Sequence, residues 1–269
     1  MSFGEMTQKK VRLLSYSLML VVVGAVVVTA IKKIGKSTNP AAETAIVGHI
    51  ARQANELTGE GGAARGKPAT GSMTSPSARS PGLSNPFPNV PRSRAGLSLA
   101  DDPFGAQSVE EQHWLDRRGY PNARQWETYS QLPDGLLQVA ADSGDSVAKT
   151  MLDARGLPSR NATDKLLLSA ANGDDFALSL LSARLASLPG EQNLIDAYAV
   201  ARVSEIRGNT SAAVGREAMF AQSLTPDQRM KGEADAMKLV STLNALYEKK
   251  YGVKYRVDAR PFSIENKGI

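Results

Sequence analysis

Asp142, Asp145, Asp174 and Asp175 cluster around two glycines, and neighbouring carboxylates are the groups that general acid–base hydrolysis uses. Their places at expected helix starts and ends favour another role, capping free backbone N–H groups and complementing the helix dipole. His113 is the single histidine in the part of the chain that reads as folded, beside Trp114, and the spacing offers it no serine and aspartate for a triad. His49 is equally isolated. The chain has no cysteine, which excludes disulfides, thiolate metal sites and cysteine nucleophiles. It has no G-x-S-x-G, no H-E-x-x-H, no Walker A loop and no G-x-G-x-x-G. The expectation is therefore a protein that is not an enzyme, with no cofactor and no metal.

Aromatic side chains offer recognition chemistry instead. Trp114, Tyr120, Trp126 and Tyr129 fall within 16 residues of one another. Trp and Tyr dominate the energetics of protein interfaces, so these four are candidate contacts for a partner. The competing reading makes them the large residues that close one end of an alanine-rich helical array. Tyr198 and Arg202, four apart on one helical face, form a second candidate contact pair.

The elements that carry these residues read as helices from 108 to 252. Ser108 with Glu111 suggests a capping box ahead of 109–118, and Pro121 opens a helix to Leu132. Further helices are expected near 134–142, 146–155, 161–171, 174–187, 192–207 and 210–223. Thr225-Pro226-Asp227-Gln228 is a strong start signal for a long last helix, ended by Gly252. Residues 253–269 form a tail in which 253–257 alternate weakly, as a short strand or extended arm.

Self-comparison shows a repeat. Ala140-Ala141, Gly144-Asp145, Ala148 and Leu152 match Ala170-Ala171, Gly173-Asp174, Ala177 and Leu181 with one gap. A looser third copy has Ala197-Tyr198-Ala199, then Gly208-Asn209 and Ala212. Each glycine ends one helix, and small alanines let the next approach closely. One such pair cannot bury its own apolar face, so pairs stack. On these residues the chain resembles the Sel-one-like repeat family, relatives of the tetratricopeptide repeats, over roughly 134–245. Met151-Leu152-Asp153 and Leu181-Ser182-Ala183 depart from the family's usual Leu-Gly step. The resemblance implies an all-α fold, a short α-solenoid of stacked helix pairs, and scaffolding of a protein partner. It brings no catalytic residue with it.

Charge identifies the other partner. The chain carries 32 basic and 27 acidic side chains, a net +5. Lys9, Lys10, Arg12, Lys32, Lys33 and Lys36 against Glu5 account for all of it, leaving 26 of each sign elsewhere. No basic body remains to neutralise a phosphate backbone, so no nucleic-acid partner is expected. The two basic collars flank residues 13–31, 19 residues without a charge. As a helix this run reaches about 28 Å, close to the hydrocarbon thickness of a bilayer. The expectation is a transmembrane helix in membrane lipid, behind a cytoplasmic tail of residues 1–12. A signal peptide cleaved after Val28-Thr29-Ala30 is the alternative, disfavoured by the length of the run and by Lys32-Lys33.

Asn39-Pro40 starts an expected membrane-proximal helix over 39–58, with Ile46, Val47, Ile50, Ala54 and Leu57 on one stripe. Residues 59–107 hold seven prolines and little periodicity, which reads as a disordered linker, with Phe87 and Phe104 as isolated aromatics. The expected whole is a single-pass protein of a bacterial inner membrane whose C-terminal domain lies in the periplasm. It is expected to act as an adaptor or scaffold for an unidentified protein partner. The alternatives are an envelope hydrolase of helical fold and a structural subunit of a membrane-associated or secretion assembly. In the latter case the 41–57 stripe would build a homo-oligomer.

Overall fold

The computed structural model describes residues 86–216, 219–220 and 223–261. The expected span at 13–31, the helix at 39–58 and the first part of the linker lie outside the described residues. Among those described, no helix is long and apolar enough to cross a membrane. All regular structure there is helical: α1 Val109–Arg117, α2 Ala123–Gln131, α3 Asp134–Asp142, α4 Ser146–Arg155, α5 Arg160–Ala171, α6 Asp175–Ala186, α7 Glu191–Ile206, α8 Thr210–Gly215 and α9 Pro226–Tyr251.

The starts of these helices follow from side-chain acceptors for otherwise unpaired N–H groups. Asp145 and Asp174 cap α4 and α6 by accepting from the backbone N–H of Ala148 and Ala177. Thr225 and Gln228 close a full capping box on α9, with Pro226 in the first turn. Two starts differ from expectation. Ser108 accepts from the Glu111 N–H, but the Glu111 carboxylate reaches the Gln107 N–H instead of completing a box. The capping box of α2 belongs to Asn122 and Gln125, one residue after the proline. The helix expected over 210–223 ends at Gly215.

The ends of α1, α3, α5 and α7 share one geometry. Gly119, Gly144, Gly173 and Gly208 all have positive φ, which an L side chain resists. At each, the next N–H returns to the carbonyl five residues back: Tyr120 to Leu115, Asp145 to Ala140, Asp174 to Ser169 and Asn209 to Ser204. This is the Schellman closure. It puts the second and third closures at a constant offset of 29, so Ala141 corresponds to Ala170 and Val139 to Leu168 with no gap. The single gap in the sequence alignment is therefore removed, and the closure at Gly119 adds an earlier copy.

Each helix packs on its neighbour in sequence from α3 to α8, and α9 lies across α7 and α5. The crossing of α9 over α7 is close because of Gly232: a Cβ there would come within 2.5 Å of the Tyr198 ring. Two apolar cores result. One is aliphatic, built from α5, α6, α7 and α9 around Leu166, Leu178, Leu181, Val203, Leu239 and Leu243. The other is aromatic and lies under α1 to α4 with Phe176 of α6.

The linker expectation needs correction over its last stretch. Residues 86–107 are packed, with Val90 and Ala106 in the aromatic core. Their order comes from single anchoring side chains, which leave no periodic trace in sequence. Arg94, 1% exposed, donates to Asp102, Asp116 and the Tyr120 and Pro121 carbonyls at 2.6–2.8 Å. Asn122 donates to the Pro91 and Ser93 carbonyls. Of the two expectations for the tail, the extended arm is the one observed: residues 253–261 form no strand and lie against the helical array.

Candidate interaction site

The four clustered aromatics turn inward. Trp114 is fully buried, Tyr129 and Tyr120 are nearly so, and Trp126 is half-buried. Their neighbours include the two phenylalanines of the supposed linker. Phe104 meets Tyr120, Phe176 and Trp126 edge-on at 4.9, 5.6 and 6.0 Å, and Phe87 meets Tyr129 at 6.1 Å. Such edge-to-face contacts suit the ring quadrupole. The buried hydroxyls are satisfied, Tyr129 donating to Asp145 and Tyr120 bonding Ser179 and Asn209. Burial pushes the Tyr120 hydroxyl up to about 12. A partner cannot reach the Trp114, Tyr120 or Tyr129 rings while the fold is closed, so these three are core residues.

Tyr198 and Arg202 do act together, but on their own chain. The Tyr198 hydroxyl donates to Glu233 Oε1 at 2.8 Å and Arg202 Nε donates to Glu233 Oε2 at 3.0 Å. Arg216 lies over the Tyr198 ring and pairs with Glu205. The pair fastens α9 to α7. Tyr198 is buried, while Arg202 keeps a partly open edge.

The aspartates divide into caps and an ion cluster. Asp142 and His113 are exposed. Asp174 caps α6, accepts from Thr150 at 2.5 Å and is packed so tightly beneath Gly119 that a Cβ there would collide with it. Although Asp174 as a residue is half-buried, its carboxyl group is enclosed, and burial pushes it up to about 7. Asp175, fully buried, lies 3.4 Å from Arg207 Nε and 3.5 Å from Arg118 NH1. Burial raises its carboxyl against the pull of Arg207 and Arg118. These perturbed carboxylates do not face an open cleft. A shallow cavity of about 300 Å³ is lined by Leu97, Asp102, Ala123, Arg124 and Glu127 among others, and neither Asp174 nor Asp175 borders it. Among the described residues no group of His and acidic side chains could hold a metal.

Sequence reasoning missed Arg94, Arg118, Arg207, Tyr255 and Arg260. A signal for two of them exists: Arg118-Gly119 and Arg207-Gly208 put an arginine immediately before a helix-ending glycine, and both converge on Asp175.

What remains open to solvent and apolar is a set of helix-face residues. Val139 on α3 and Leu168 on α5 are 49% and 56% exposed, and they hold equivalent positions five residues before Gly144 and Gly173. Met230 and Met237, two turns apart on α9, are also exposed. No family model matches the chain, and neither does any curated protein or solved structure.

Proposed function

We propose that the chain is a membrane-anchored adaptor of a bacterial cell envelope that presents its helical array to a protein partner. The observation that supports the binding half is the repeated exposure of Val139 and Leu168 at one position of successive closures. Burying a Val or Leu side chain on association contributes about 1.5–3 kcal/mol, so each is a useful anchor. Flexible methionines at Met230 and Met237 suit an adaptable second contact. The anchoring half rests on the uncharged run 13–31 between its basic collars. The remaining 26 basic and 26 acidic side chains favour a protein over a nucleic acid. The resemblance to Sel-one-like repeats points the same way.

The test is photo-crosslinking of the full chain in its membrane, with a benzophenone side chain at position 139 or 168. The expected result is one discrete adduct shared by both positions and missing from the exposed polar position Glu127. No adduct at either apolar position would sink the binding half. A reporter fused after Ile269 that is active only in the cytoplasm would sink the periplasmic orientation.

A further inference from the structure

Gly252, left-handed at φ 70°, ends α9, and the chain then runs back to the first helix. Three places hold it. The Tyr255 ring lies 3.8 Å from the Arg207 guanidinium carbon, its edge meets Tyr247 of α9, and its hydroxyl accepts from Arg118 NH1 at 2.7 Å. The Asp258 carbonyl accepts from Trp114 Nε1 at 2.7 Å, and its carboxylate lies 3.1 Å from Arg117. Arg260 donates to Glu111 at 2.5 Å, and to Ser211 and the Phe104 carbonyl at 2.7 Å each. The Arg260 backbone N–H also reaches the Gly208 carbonyl. A Cβ on Gly208 would come within 2.5 Å of the Asp258 carbonyl, so the glycine also admits the backbone of the segment.

Between these anchors Lys254, Arg256, Val257 and Ala259 face solvent. Separate side-chain anchors, main-chain hydrogen bonds and outward-facing residues between them are how an extended peptide sits in a groove. Two nearly buried arginines face a single buried carboxylate, and Arg118 Nε and Asp175 Oδ2 lack hydrogen-bond partners even with the segment in place. With the segment lifted away, Arg118 would lose the Tyr255 hydroxyl and the Asp258 carbonyl and carboxylate as well.

We propose that this groove, formed by Glu111, Trp114, Arg118, Arg207 and Ser211, recognises an extended partner peptide bearing an aromatic, an acid three residues later and an arginine two beyond. Residues 253–261, with Tyr255, Asp258 and Arg260 in that spacing, are its resident occupant. The inference rests on the adaptor reading and supplies the chemistry of one partner segment. A tethered occupant acts at an effective concentration of roughly millimolar, so the partner binds only by displacing it. The groove is thereby closed until a better-fitting or locally concentrated segment arrives.

The experiment uses the full chain in detergent and a fluorescent peptide, blocked at both ends, of residues 252–261. Wild type is compared with the Tyr255→Ala/Arg260→Ala variant, whose own segment is released. The proposal expects at least tenfold tighter peptide binding to the variant. It also expects the Arg260 amide of wild type to exchange hydrogen faster than the central amides of α7. Equal binding to both proteins overturns it. So does loss of helical circular dichroism in the variant together with Arg260 exchange as slow as α7, since the segment would then be an integral part of the fold. Either failure leaves crosslinking at Val139 and Leu168 standing, so the adaptor reading is judged separately.

Discussion

The aromatic half and the aliphatic half of the array solve the same packing problem with different materials. Under α1 to α4 the rings of Trp114, Tyr120, Tyr129 and Phe176 pack with Leu115, Leu137, Val147 and Met151, and an irregular segment, 86–107, is laid over them by the Arg94 clasp and by Asn122. Around α5 to α9 the core is mostly leucine, valine and alanine on regular helices, joined by the rings of Tyr198 and Phe220, with Gly232 permitting the close crossing of α9. Buried Trp and Tyr rings carry N–H and O–H groups that need polar partners. Small aliphatic residues need only periodicity and close approach. The first region therefore depends on a few individual side chains, and the second on a pattern. The Asp175 cluster, reached by arginines from the ends of α1 and α7, ties the two together.

The largest expected effect is on the side that depends on individuals. Trp114→Ala removes the largest fully buried side chain and orphans the Asp258 carbonyl, and should destabilise by about 3–5 kcal/mol in urea titration. Hydrogen exchange should rise more in α1 to α3 than in α7 and α9; a uniform rise would erase the distinction between halves. Gly232→Val attacks the other half, forcing α9 off Tyr198 at about 1–3 kcal/mol. Its exchange signature should be the reverse, concentrated in α7 and α9.

A smaller effect probes the seam. The folded Asp174 carboxyl titrates at about 7 against 3.8 in the unfolded chain. A raised value means that the folded state holds the proton more tightly, so this contribution is complete below about pH 4 and lost as pH rises through 7. Asp174→Asn keeps a capping side chain and should flatten the loss of thermal stability between pH 5 and 8. An unchanged pH profile would remove Asp174 from the account. Least affected should be the stability of Val139→Lys/Leu168→Lys, within about 0.5 kcal/mol of wild type, because about half of each residue is already in water and a lysine stem can cover the rest.

Legibility in the sequence followed the same division. Helix starts at Asp145, Asp174 and Thr225 and stops at Gly144, Gly173 and Gly252 could be read because caps and left-handed glycines are local. The packed part of the linker could not, since Phe104 and Arg94 act through partners such as Tyr120, Asp116 and Phe176, 16 to 72 residues away, and share no period. Trp114 and Tyr129 were legible either as partner contacts or as the large residues closing one end of the array, and their burial fits the second reading; composition alone does not say which way a ring turns. The arm at 253–261 was legible as extended, while its docking on Arg118, Arg207 and Glu111 depends on contacts 48 or more residues apart in sequence.

The central claim is that the open helix faces of the array around Val139 and Leu168 contact a partner. Once crosslinking has identified that partner, titration calorimetry of wild type against Val139→Lys/Leu168→Lys tests the claim directly. The account predicts at least a tenfold loss of affinity with an unchanged melting temperature. Equal affinity in the two proteins would contradict it.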